Sequence, residues 1–382
     1  MKRNKTVVLG YGVSGKAAAK FLQARGAEVI VVDDRGDVKE YDGEFDLLVP
    51  SPGVPPSHPL YQKALALSIP VVGEAELALR SLKQKVIGIT GTNGKTTVTE
   101  LTAHVLNYCG ISAVALGNVG RPLTEWALSE HGDEVVVAEL SSYQLETMEA
   151  KSLDQAVILN ISPDHLDRYG SIEAYTAAKM RIEQCLKPPG KLLMKEGKNS
   201  YITQDLDPPT TFEEENQHAA YSLTKPFGIT APLFREALKS FRKPPHRLEF
   251  IKEVKGVRYY NDSKGTNIEA VNQAVESFAG KIYLIAGGQD KGESYTPWLS
   301  TFSGKVAAIA LVGEAAEKIE RDLAGAFPTK QCGTLPKAFA YCQAKANPGD
   351  IVLLSPGCSS FDQYRCFEER GEEFRKLVNC II

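Results

Sequence analysis

The chain has no excess of positive charge: 44 Lys and Arg stand against 47 Asp and Glu, a net charge of −3 over 382 residues. A broad basic surface for nucleic acid or anionic membrane is therefore not expected. No apolar run approaches the length that spans a bilayer. The seven cysteines (Cys109, Cys185, Cys332, Cys342, Cys358, Cys366, Cys380) are scattered, odd in number and free of any CxxC pair. That pattern argues against a disulfide framework or a cysteine metal cluster and suits reduced thiols in the cytoplasm. The basic start Met1-Lys2-Arg3-Asn4-Lys5 runs into a strand and a Gly-rich turn, not the apolar core of a signal peptide. There is no short-period repeat and no heptad run. At 43% hydrophobic and 24% charged the chain reads as a soluble globular protein, with length for two or three domains.

What is present begins with Gly91-Thr92-Asn93-Gly94-Lys95-Thr96-Thr97. The apolar run Val86-Ile87-Gly88-Ile89 before it reads as a buried strand. Val98, Leu101, Val105 and Tyr108 after it recur on one helical face. A strand, a Gly-rich turn and a helix start together form an anion site, because helix N-termini present N–H donors and partial positive charge. A triphosphate fits, with Lys95 reaching the β/γ-phosphates and Thr96 holding Mg²⁺. The general phosphate-loop pattern wants Gly where Ile89 stands, so the loop is a variant whose first turn is made by Gly91.

The surrounding chain alternates strand and helix signals. Strands are expected at 6–9, 28–32, 45–49 and 71–72, and a helix at 16–25, followed by the turn cluster Ser51-Pro52-Gly53-Val54-Pro55-Pro56. A polar boundary follows at 80–85. Further strands are expected at 135–138, 156–159 and 191–194, then an irregular polar stretch at 204–217. After Arg242-Lys243-Pro244-Pro245 the strands expected are 257–260, 281–285, 306–312 and 351–354, again in a parallel sheet.

Other polar constellations sit at strand ends. Gly10-Tyr11-Gly12-Val13-Ser14-Gly15 completes GxGxxG, with Asp33 at the end of the next strand where a ribose-binding acid would sit. Taken alone this suits a dehydrogenase cofactor, but any nucleotide with phosphate and ribose would serve. Glu139 ends a strand where a carboxylate suits Mg²⁺. Asn160-Ile161-Ser162-Pro163-Asp164-His165-Leu166-Asp167-Arg168-Tyr169 concentrates two acids, a His and an Arg after another strand. Lys179 on its own reads as an ordinary helix lysine. Thr266-Asn267-Ile268-Glu269 reads as a capping box, and Ile268, Val271, Val275 and Phe278 as the core stripe of its helix. The loops 287–292 and 355–363 lie at strand ends as well.

Jointly, these segments resemble the Mur ligase family over essentially the whole chain. The matching pieces, in order, are Gly91 to Thr97, Gly117-Asn118-Val119-Gly120, Glu139-Leu140-Ser141-Ser142, 164–168, Tyr175 with Lys179, His246-Arg247, 262–267 and 287–292. The 10–16 opening and the stretch 355–364 point to the D-glutamate-adding branch, and no DNPR sequence of the diamino-acid branch occurs.

The resemblance implies an α/β protein of three domains. These are an N-terminal Rossmann-like UDP-substrate domain (1–83), a central phosphate-loop ATPase domain with a parallel sheet (84–243) and a C-terminal Rossmann-like amino-acid domain (244–382). It implies an ATP-dependent ligase joining D-glutamate to UDP-N-acetylmuramoyl-L-alanine through an acyl phosphate, in cytoplasmic peptidoglycan precursor synthesis. It implies small-molecule partners, no nucleic acid or membrane, and a monomer. Lys95, Glu139, His165 and Lys179 are the implied catalytic set. ATP would meet Gly91, Thr92, Asn93, Gly94, Lys95, Thr96 and Thr97, and Arg247 and Asp262 from the third domain. Ser14, Asp33, Asp34, Arg35, Gly53, Asn118 and His165 would face the UDP substrate. Lys264, Thr266, Lys291, Ser360 and Phe367 would orient D-glutamate. Two Mg²⁺ would sit on Thr96 and Glu139, and on His165 with a carbamylated Lys179. The family's His-Asn-x-x-Asn stretch has no counterpart in 223–231, so the adenine contact is expected to have shifted and the central domain to be trimmed around 204–229.

Other readings stay open at this point. They are an NAD-dependent oxidoreductase, which leaves Lys95 and its loop unexplained, a non-catalytic nucleotide switch, and other amino-acid-adding branches, the folate polyglutamate branch included.

Overall fold

The computed structural model describes residues 5–34, 36 and 38–381. Its strands form three sheets, and by contacts the chain divides into two compact units, 1–161 with 171–241 and 162–170 with 242–382. Among the described residues no helix is long and apolar enough to cross a membrane.

In the first unit, β1 (Lys5–Leu9), β2 (Glu28–Val32) and β3 (Leu47–Pro50) make a parallel sheet in the order β2-β1-β3. The chain turns from β1 to one side and later returns on the other, so the carboxyl end of β1 is a switch point where open α/β sheets bind ligands. Val71-Val72, expected as a strand, contributes only an isolated bridge from Val71 to Leu48. The short run ends where Gly73 caps the helix Glu74–Leu79, so the ladder stops there.

The same unit holds a five-stranded parallel sheet of β4 (Val86–Thr90), β5 (Ala113–Gly117), β6 (Val135–Glu139), β7 (Gln155–Ile158) and β8 (Leu192–Met194), in the order β5-β6-β4-β7-β8. All residues of β4 and β6 are buried, as unbroken apolar runs covered on both faces require. Each aliphatic side chain so buried contributes roughly 1.5–3 kcal/mol. β4 lies between β6 and β7, which puts its carboxyl end at the switch point. On the helix Lys95–Tyr108 the expected stripe is buried at Val98, Leu101 and Val105, whereas Tyr108 is 47% exposed at its end.

The stretch 204–217 is not irregular throughout. Thr211 caps a helix, Phe212–Thr224, by a capping box with Glu214, and Glu213, Glu214 and Glu215 fill its first turn, where negative charge is favoured. The acidic run that reads as a solvated loop is a helix start.

The second unit carries β9 (Glu249–Val254), β10 (Val257–Asn261), β11 (Ile282–Gly287), β12 (Val306–Val312), β13 (Thr329–Gly333) and β14 (Ile351–Leu354), in the order β13-β12-β11-β14-β10-β9. It is parallel except for β9, an edge strand that pairs antiparallel with β10 across the turn at Lys255-Gly256. β9 and β13 are half-exposed edge strands, so neither shows the apolar run that marks the central ones. The helix Ile268–Glu276 is capped by Asn267, whose side chain accepts from Ala270 N–H, one residue later than the Thr266–Glu269 box would have it.

Candidate active site

Three clusters of polar side chains occupy the carboxyl ends of these sheets. Around β1, Gly15 packs so closely that a Cβ there would collide with the Gly10 carbonyl, which also accepts from Ser51 Oγ at 2.8 Å. Asp33, at the end of β2, accepts from the Tyr11 N–H inside the Gly-rich loop. A cleft of about 550 Å³ opens here, lined by Tyr11, Gly12, Lys16, Val31, Asp33 and Val38. A second of about 860 Å³ includes Asp34, Tyr41 and His58. Ser14 lies in the first turn of the helix Val13–Ala24, and Gly53 is exposed in the turn after β3. Arg35 lies outside the described residues.

Around β4 the arrangement is denser. Gly94 caps the helix Lys95–Tyr108 in the left-handed region (φ +84°), and a Cβ there would strike Asn216 Oδ1. Lys95 folds back over the loop, its Nζ donating to the carbonyls of Gly91 (2.8 Å) and Thr92 (2.7 Å). Lys179, 1% exposed, donates to the same Gly91 carbonyl at 2.8 Å and stands 4.5 Å from the Tyr175 ring centre. The Tyr175 hydroxyl reaches Thr92 Oγ1 at 3.3 Å. Asn160, directly beyond β7, holds the loop from the other side. Its Oδ1 accepts from Asn93 N–H (2.9 Å), its Nδ2 donates to the Asn93 carbonyl (3.0 Å) and its own carbonyl accepts from Thr92 N–H (2.9 Å). Thr96 is buried, and Thr97 half-buried, in the first helical turn.

Glu139 ends β6 in register with Ile89 of β4 and Gly117 of β5. Its Oε1 accepts from Asn118 Nδ2 at 2.7 Å, while Oε2 is buried without a hydrogen-bond partner among the described residues. An orphaned carboxylate oxygen beside a phosphate loop fits a hard divalent cation. Among the described residues no group of three or more His, Cys, Asp and Glu side chains forms a metal cage. An ion there would rest on few protein oxygens and on the phosphates themselves, the usual manner of Mg²⁺.

The second unit gathers the remaining residues. Asp164, 6% exposed, accepts from Lys291 Nζ at 3.0 Å and from Asn267 Nδ2 at 3.3 Å, with His165 Nε2 3.7 Å away. His165 takes a left-handed conformation (φ +56°) at the start of the short helix Leu166–Tyr169. His165 and Lys179, paired at one ion by the family resemblance, thus belong to different units. Asp262 accepts from Ser355 Oγ (2.7 Å) and Leu248 N–H (3.1 Å). Burial pushes its carboxyl up to about 7, against the opposing hydrogen bonds and the charge of Arg247. Lys264 Nζ lies 4.1 Å from the Phe367 ring centre, Ser360 is buried and Thr266 half-buried. Arg370, 2% exposed, ties this floor together by donating to Ser263 Oγ (3.0 Å) and to the carbonyls of Ser263 (2.9 Å) and Cys358 (3.2 Å).

Two family models match the chain, the Mur ligase middle domain over residues 89–227 and the Mur ligase glutamate ligase domain over 246–358. A curated relative from Protochlamydia amoebophila, named UDP-N-acetylmuramoylalanine--D-glutamate ligase, is 41% identical over 435 residues, covering 99% of this chain and 98% of its own. The chain belongs to the Mur ligase family. Relatives of the same name from Chlamydia felis and Acidobacterium capsulatum are each 38% identical, covering 99% of this chain and 98% and 96% of theirs. Among solved structures, the Thermotoga maritima UDP-N-acetylmuramate-alanine ligase has a TM-score of 0.62 at 16% identity, covering 98% of this chain and 99% of that one. The MurF ligase of the same organism, solved with ADP, has a TM-score of 0.61 at 18% identity, covering 99% and 96%. At such identities the likeness is one of fold.

Membership in the Mur ligase family turns attention to the missing asparagine pair. Leu223 lies in the last turn of the helix Phe212–Thr224, buried in the apolar core, and 225–227 form a 3-10 turn. Asn216, 5% exposed and one helix turn past Phe212, is the asparagine set against Gly94. Asn160 opens the strand-end stretch that the sequence marks as functional, without a role of its own there, whereas nothing in the sequence singles out Asn216. Thr211-x-x-Glu214 was the available signal for the helix that carries Asn216, and the strand end before Asn160 was the signal for the other.

Proposed function

We propose that this chain is an ATP-dependent ligase that joins D-glutamate to UDP-N-acetylmuramoyl-L-alanine in cytoplasmic peptidoglycan precursor synthesis. The full-length 41% identity to a relative of that name carries the reading, and the geometry of the loop after β4 is compatible with it.

A carboxylate does not condense with an amine at neutral pH, because its oxygen is a poor leaving group. The substrate carboxylate attacks the γ-phosphorus of ATP and ADP leaves, giving an acyl phosphate. The amine nitrogen then attacks the acyl carbon, and the tetrahedral intermediate expels phosphate as the C–O bond breaks. Both steps build negative charge that needs fixed positive partners. Lys95, now held on the Gly91 and Thr92 carbonyls, is placed to exchange those bonds for phosphate oxygens. Asn160 keeps the loop in shape during that exchange, and Asn216 borders it at Gly94. Thr96 and the free oxygen of Glu139 would hold Mg²⁺, which supplies charge neutralisation at the phosphates. Carbamylation of Lys179 would replace a donor by an oxygen acceptor and release its bond to Gly91. The cleft beside Asp33 would take the UDP moiety, and Lys264, Thr266, Lys291, Ser360 and Phe367 the amino acid.

The deciding experiment is ATP-dependent phosphate release with UDP-N-acetylmuramoyl-L-alanine, comparing D-glutamate, L-glutamate, glycine and no amino acid. Release that requires D-glutamate is expected and is abolished by EDTA. Release with a different amino acid moves the chain to another branch, and release without any amino acid contradicts a ligase.

A further inference from the structure

A dicarboxylic amino acid presents two anionic groups and one amine. The two lysines proposed to receive it, Lys264 and Lys291, only donate hydrogen bonds and so suit carboxylates. The amine needs an acceptor, and most buried carboxylates of the second unit are already engaged. Asp164 accepts from Lys291 and His165 N–H on Oδ1 and from Asn267 on Oδ2. Asp262 accepts on both oxygens from Leu248 N–H and Ser355. Asp290 accepts from Tyr295 and Lys318 on Oδ1 and from Lys318 on Oδ2.

Glu293 differs. It lies two residues beyond Lys291 in the loop that follows β11, and the charges acting on it are those of Asp164, Lys291, Asp290 and Lys318. Its Oε1 is buried and has no hydrogen-bond partner among the described residues. That loop stands at the switch point of the sheet, where β14 returns beside β11, and it is bonded to the loop after β14 through Gln289 N–H and the Ser359 carbonyl at 2.9 Å. A buried acceptor without a donor costs about 1–3 kcal/mol and persists where a ligand supplies the donor.

We propose that Glu293 is the residue that binds the amino group of the incoming amino acid; this rests on the ligase reading above. Burial, and then the charge of Asp164, raise its carboxyl to about 7, a cost that an N–H donor at Oε1 would offset. The same pairing distinguishes an amino acid from a plain diacid, which offers that oxygen nothing.

The test compares wild type with Glu293→Gln and Glu293→Asp in steady-state phosphate release, with D-glutamate varied and with glutarate as inhibitor. Glutarate keeps both carboxylates and lacks the amine. In Glu293→Gln the KM for D-glutamate should rise about tenfold or more, while the KM for ATP, the KM for the UDP substrate and the Ki of glutarate stay at wild-type values. Glu293→Asp, which keeps the charge, should recover part of the loss, and melting curves of both variants should overlay wild type. A wild-type KM in Glu293→Gln overturns the proposal, as does equal weakening of D-glutamate and glutarate. No D-glutamate-dependent release by the wild type would defeat the ligase reading, and the proposal with it.

Discussion

Two Gly-rich turns in this protein look alike in one dimension and differ in what holds them. Each follows a central strand and opens a helix. In the turn after β1 a carboxylate, Asp33, takes a loop N–H for itself, and a serine ties the Gly10 carbonyl. In the turn after β4 the carbonyls are covered by two lysines, Lys95 and Lys179, and the loop is braced by an asparagine. The first carries one lysine, Lys16, and an acid, Asp33, at its rim, and the acid suits sugar hydroxyls. The second concentrates cations against a helix start, suited to polyphosphate. GxGxxG alone therefore says little about which nucleotide is bound. The groups that neutralise or occupy the loop's backbone say more.

That contrast can be broken by substitution. Lys95→Ala should lower phosphate release by about 100-fold or more, on the scale of losing one charge-stabilising donor, with an unchanged circular dichroism spectrum. Asn160→Ala should loosen the same loop, raising the KM for ATP by about tenfold and lowering stability by about 1–3 kcal/mol in urea, because the Asn93 backbone loses two hydrogen bonds. Asp33→Ala should act on the other loop alone, raising the KM for the UDP substrate severalfold and leaving that for ATP unchanged. An equal effect on both would show that the two loops are not separate sites. A further effect concerns pH. The Asp262 carboxyl is raised from 3.8 to about 7 in the folded protein, so the folded state binds more protons between those values and stability falls as pH rises through that window. Asp262→Asn should flatten that part of the curve in pH-dependent thermal unfolding.

The elements most plainly read from sequence are those whose burial is two-sided, although the edge strands β2 and β8 were legible as well. β4, β6, β12 and β14 announce themselves as apolar runs because helices cover both faces. β5, β9 and β13 do not, since each stands at a sheet edge and keeps half its side chains near water. For the candidate site, strand-end positions such as Glu139 and Lys95 were legible because a charged residue after a buried strand is unusual. Asn216 and Glu293 were not, because their meaning lies in which long-range neighbour each one meets or lacks. The acidic start of the Phe212–Thr224 helix shows the same limit, where composition suggested solvent and a capping box decided otherwise.

The nine residues 162–170 leave the first unit, cluster with the second and return. With them goes Asp164, the carboxylate that engages Lys291 and Asn267. The second unit is thus encoded in two separate stretches of the gene. Expression of 242–382 by itself would remove Asp164, the buried acceptor of the Lys291 ammonium and the Asn267 amide. For the same reason, a chimera that exchanges amino-acid specificity between family members would have to carry this short insert along with the tail of the chain.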